Sequence, residues 1–136
     1  MPLIVPDVGE VIILDSMLAG IGIAGWFVLL YENNLTPDQD TVFTDFVEAT
    51  YDGYAAQPVN FGSASIVGHK GTIVGSAPLS FVVATTGSPD TIYGYLVADA
   101  NTGEVVYAEK FASPQVMENA GDTINITLSF TGNSEF

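Results

Sequence analysis

The chain of 136 residues contains no cysteine and no arginine, and its only basic side chains are Lys70, Lys110 and the single histidine, His69. The missing thiols exclude disulfides, thiolate catalysis and every zinc site built on sulfur. One imidazole cannot furnish a multi-histidine metal centre, and nothing near it in "VGHKGT" identifies a catalytic partner, so His69 reads as a turn residue between Gly68 and Gly71. Sixteen acidic residues stand against two lysines, giving a formal charge of -14. A surface of that sign repels phosphate, so neither nucleic acid nor an anionic membrane is an expected partner.

The chain is nevertheless not a solvated acidic tail, because 48% of its residues are hydrophobic and only 13% are charged. Such a composition supports a packed core, and the length fits one ordinary domain. The apolar stretch "VIILDSMLAGIGIAGWFVLLY" approaches the length of a bilayer span, but Asp15 lies inside it, Gly20, Gly22 and Gly25 interrupt it, and no lysine or arginine flanks it. The first charges are Asp7, Glu10 and Asp15, the wrong sign for a secretory leader. A soluble protein without an export signal is expected.

Local patterns divide the chain into an N-terminal arm with a short helix, residues 1–24, and a β-domain, residues 25–136. Val8, Val11, Ile12, Asp15 and Ala19 recur at helical spacing behind an Asp7 cap, with Glu10 three residues on. "GWFVLLYE" reads as a central strand, and "NNLTPDQDT" as an exposed loop. In "VFTDFVEAT" the residues Val42, Phe43, Phe46 and Val47 share a helical face, so one or two turns capped by Thr41 are expected. From Tyr51 onward short β-branched and aromatic runs alternate with glycine, proline and Asx clusters. "TIYGYLVAD" and "EVVYAEKFA" should form a hairpin through Asp99 to Gly103. "TINITLSFT" places Ile124, Ile126, Leu128 and Phe130 on one face and polar residues on the other, as in an antiparallel strand with one wet face. The expected fold is mainly β: an antiparallel, jelly-roll-like β-sandwich carrying a short helix and arm.

Candidate sites are sparse. Asp38 and Asp40 in "TPDQD", and Asp99, Asn101 and Glu104 in "DANTGE", set oxygen ligands at alternate positions as calcium loops do, yet neither stretch completes a calcium-binding pattern. Solvated turns are the simpler reading, and no cofactor or catalytic residue is expected. The arm is more informative, because Leu3, Ile4, Val5, Val8, Val11 and Ile12, together with Trp26, are more apolar surface than a short segment can bury on itself. They are the expected oligomer or docking contacts.

Across nearly its whole length, in "VPDVGEVIILDSML", "LYENNLTPDQDTVFTDFVEATYDGYAAQPV", "TIYGYLVADANTGEVVYAEKFASPQVMENAGDTINITLSF" and the terminal "SEF", the chain resembles small structural proteins of tailed bacteriophages. The resemblance implies a virion protein on the head surface, a capsid decoration or cement protein that is soluble in the host cytoplasm before assembly. Its implied partners are the major capsid protein or another virion protein, and its own copies in a homo-oligomer, with a trimer favoured. A tail- or fibre-associated receptor- or carbohydrate-binding module is the rival. The resemblance carries over no active-site residue.

Overall fold

A computed structural model describes residues 3–4, 26–59, 65–67, 70–74, 78–99 and 102–131. The described chain is mainly β, and all its strand pairings are antiparallel. The strands are β1 (Leu3–Ile4), β2 (Trp26–Tyr31), β3 (Gln57–Val59), β4 (Ser65–Val67), β5 (Lys70–Val74), β6 (Leu79–Val82), β7 (Asp90–Asp99), β8 (Val105–Met117), β9 (Thr123–Ile126) and β10 (Ser129–Thr131). A five-stranded sheet runs β1-β8-β7-β2-β3, a three-stranded sheet runs β10-β5-β4, and β6 pairs with β9 alone.

The apolar run "WFVLLY" becomes an interior strand because both of its faces are covered. Trp26, Val28 and Leu30 point into a core shared with Phe81 of β6 and Ile124 and Ile126 of β9, while Leu29 and Tyr31 enter a second cluster with Leu96, Ala98, Val105 and Ala108. Gln57 of β3 adds a polar tie between the sheets, its Nε2 donating to the Ser80 carbonyl of β6 at 2.6 Å. Since they form strand β2 of the five-stranded sheet, residues 26–31 take no part in a membrane-spanning helix. No helix among the described residues is long and apolar enough to cross a membrane.

The β7–β8 hairpin forms where the turn chemistry places it. Asp99 N–H donates to the Glu104 carbonyl at 2.9 Å, Gly103 N–H donates to the Asp99 carbonyl at 2.7 Å, and Gly103 takes a φ of 71°. β8 is longer than its sequence suggests, continuing through "SPQVM" for 13 residues in all. Proline is tolerated there because the register breaks: Gly94 faces Lys110 and Ile92 faces Gln115, leaving Phe111 to Pro114 opposite Tyr93 alone. This irregularity also shifts the alternation, so that Ile92 and Tyr95 both belong to the main core. A smaller bulge leaves the fully buried Val106 as the extra residue between Val105 and Tyr107.

Two expectations change, the single strand at "TINITLSFT" and the Thr41 cap. "TINITLSFT" is not one strand but two, β9 and β10, which belong to different sheets; Ile124, Ile126 and Leu128 are nonetheless buried as the alternation requires. Of the one or two turns expected in "VFTDFVEAT", a single 3₁₀ turn forms, Phe43–Asp45, with Phe46 drawn against Tyr31 at a ring-centroid distance of 4.9 Å. Val42 rather than Thr41 precedes that turn, its N–H bound by the Asp45 carboxylate at 2.9 Å. The helix expected between Asp7 and Gly20 lies outside the described residues.

Register between β2 and β7 is fixed by an aromatic–glycine pair. Tyr31 lies opposite Gly94, and a Cβ at 94 would sit 2.6 Å from the Tyr31 hydroxyl and 2.7 Å from its Cζ, with the Glu109 carbonyl also in the way. Gly94→Ala is therefore expected to destabilise the fold by about 3 kcal/mol through overpacking. A urea titration should show this as a lower midpoint with an unchanged slope.

Candidate functional site

The described residues with the densest polar organisation are the long connection from β2 to β3, residues 32–56, and the start of β7. The connection folds back along the end of β2: Glu32 N–H donates to the Val47 carbonyl at 2.8 Å and Ala49 N–H to the Leu30 carbonyl at 3.0 Å. Tyr54 then pins it, its hydroxyl donating to Glu48 Oε2 at 2.7 Å while accepting the Leu30 N–H at 3.3 Å. Burial, and after it the Glu48 hydrogen bond, push the Tyr54 phenol well above its ordinary range. It stays a neutral donor at any physiological pH.

Thr50 ties together two carboxylates that are far apart in sequence. Its hydroxyl donates to Glu32 Oε2 at 3.0 Å and its N–H donates to Asp90 Oδ2 at 2.8 Å. Burial raises the pKa of Glu32 above its ordinary value, and the hydrogen bond with Asp90 raises it further, against the opposing pull of Thr50. Thr50 thereby ties the end of β2 to the start of β7.

Lys110 on β8 reaches the same connection, donating from Nζ to Asn34 Oδ1 at 2.6 Å and Thr36 Oγ1 at 3.2 Å. Asp38, a calcium candidate, is occupied by its own turn: its Oδ1 accepts from Asp40 N–H at 2.9 Å and from Thr41 Oγ1 at 3.1 Å, and its N–H donates back to Thr41 Oγ1. Asp99 ends β7 in the hairpin turn, and Asn101 lies outside the described residues. Among the described residues no three acidic or histidine side chains gather as a metal would need. Asp38 and Asp40 share one turn, and Asp99 lies in another.

The expected contact residues divide in the same way. Leu3 and Ile4 form β1, pairing with Glu109 and Ala108 at the edge of β8. Trp26 is only 6% exposed and packs in the core. Val5, Val8, Val11, Ile12 and His69 lie outside the described residues. Sequence reading did not find the Glu32–Thr50–Asp90 clamp, whose members are 18 and 40 residues apart and carry no local pattern. Comparisons with protein-family models, with curated proteins and with solved structures yield no match.

Two carboxylates should give opposite pH signatures. Because the folded-state pKa of Glu32 is raised, its contribution to stability is complete below 4.5 and is lost as pH rises through the folded value. Glu32→Gln keeps the acceptor for Thr50 and gains a donor toward Asp90, so it should raise the melting temperature at neutral pH and remove that decline. Asp122 behaves conversely, since N–H groups of Asn119 and Glu118 lower its pKa. Its contribution is present above 3.8 and is lost as pH falls through the folded value. Asp122→Ala should therefore lower the melting temperature at neutral pH, with the difference from the parent protein closing in acid. Thermal melts across that range check both signs.

Proposed function

We propose that the chain is a structural protein of a tailed-phage virion, a capsid decoration protein that binds the assembled head and stabilises it through protein–protein contacts. The observation that carries this reading is the union of a charge of -14 with a strongly apolar N-terminal segment, on a chain resembling such proteins along most of its length. The charge keeps free copies soluble and away from packaged DNA, while the apolar segment supplies the surface that assembly can bury. In this reading residues 25–136 are a β-sandwich body and the arm joins copies into a trimer or seats them on the shell. β1 suits that role, because a two-residue strand against the β8 edge is a pairing that a neighbouring copy can also supply.

Stabilisation follows from mass action. A ligand that binds the assembled shell and not its parts adds about 2.7 kcal/mol per site at a free concentration 100 times its Kd. Summed over many sites, modest individual contacts suffice.

The test is addition of the purified protein to heads lacking it. Binding at a fixed copy number set by capsid symmetry, with a higher temperature of head rupture, is the expected outcome. Removal of the residues before Gly25 should abolish oligomerisation or head binding. Adherence to host cells or glycans without binding to heads would instead favour a tail- or fibre-associated module.

A further inference from the structure

We propose that the 3₁₀ turn and its flanks form a docking surface for a basic protein partner, one that inserts apolar side chains among Val42, Phe43 and Val47 while its lysines or arginines meet the surrounding carboxylates. These three side chains are 51%, 40% and 49% exposed and lie within six positions of one another. Val82 and Val116, the other large apolar side chains exposed among the described residues, sit on β6 and β8 instead.

The turn is held in place rather than merely left in solvent. Asn33 grips its C-terminal end, Nδ2 donating to the Asp45 carbonyl and Oδ1 accepting from Val47 N–H, each at 2.9 Å. The Asp45 carboxylate binds Val42 N–H, and Phe46 packs inward on Tyr31. Inward placement of Phe46 leaves Phe43 and Val47 facing water. Three apolar groups fixed outward by hydrogen bonds have little ordering entropy left to lose on association, which is the preorganisation an interface anchor needs.

Charge selects the occupant. Asp38, Asp40, Asp45 and Glu48 border the apolar residues and are exposed, and the chain as a whole carries sixteen acids against two lysines. A second copy would bring the same sign to the contact, and an anionic membrane or nucleic acid would be repelled in the same way. A protein face with lysines or arginines around an apolar centre satisfies both parts of the surface. The inference is independent of the virion reading, because it specifies the chemistry of the partner and not its source.

The test is a titration of the full-length protein with a synthetic amphipathic peptide bearing lysine and leucine, against a counterpart bearing glutamate and leucine, followed by amide chemical shifts. The lysine peptide should move the amides of residues 38–48, with salt-sensitive affinity, and the glutamate peptide should not. Phe43→Ser and Val47→Ser should each weaken binding, on the order of tenfold for Phe43, while Val116→Ser leaves it unchanged. Both variants are at exposed positions, and an unaltered melting temperature confirms that the fold is intact. Asp40→Asn should reduce the salt dependence. Shifts spread evenly over the acidic surface, or an affinity insensitive to Phe43→Ser, would overturn the proposal. So would self-association of the protein that Phe43→Ser abolishes, since the occupant would then be a second copy.

Discussion

The packing of the Tyr31 ring over Gly94 is the constraint on which the described architecture depends. It sets the register of β2 against β7, and through β7 that of the long hairpin. The same ring reaches into the connection after β2: its hydroxyl donates to the Leu35 carbonyl at 3.1 Å and it meets Phe46 in an edge-type contact. Burial, with Glu109 nearby, holds the Tyr31 phenol up at about 12, so this donor persists across the whole range in which the protein would be handled. One residue thereby couples the centre of the sheet to the conformation of a loop on its surface.

That coupling explains how a long connection can be specific without regular structure. Residues 32–56 contain one 3₁₀ turn, and alongside backbone bonds such as Glu32 N–H to the Val47 carbonyl, side chains satisfy further backbone groups: Asn33, Asp38, Thr41 and Asp45 each close part of it. Thr50 and Tyr54 then fasten its second half to Glu32, Asp90 and Glu48. Acidic residues dominate this set, so much of the negative charge has a structural use as acceptor of N–H and O–H groups.

Features governed by neighbours in sequence were legible. The hairpin through Asp99 and Gly103 follows from turn chemistry, the interior position of Trp26–Tyr31 from an unbroken apolar run, and the burial of Ile124, Ile126 and Leu128 from strict alternation. Features governed by distant contacts were not. A helical face at Val42, Phe43, Phe46 and Val47 has the right spacing for the one turn that forms, yet which member packs on Tyr31 is not visible in it. Pro114 argues against strand, and only the four-against-one bulge opposite Tyr93 makes it admissible. The division of "TINITLSFT" between two sheets depends on which partners are available, β6 for the first half and β5 for the second. The carboxylate clamp has no sequence signature, because its parts are assembled by the return of the chain.

The bulge at Pro114 also bears on how readily copies of this chain stack. A straight, fully donating strand is a template on which like chains stack into cross-β fibrils, and β8 is otherwise long enough to serve as one. An imino acid within a four-residue kink deprives it of both straightness and a hydrogen-bond donor. The longest strand among the described residues is thereby a poorer template for stacking of like chains.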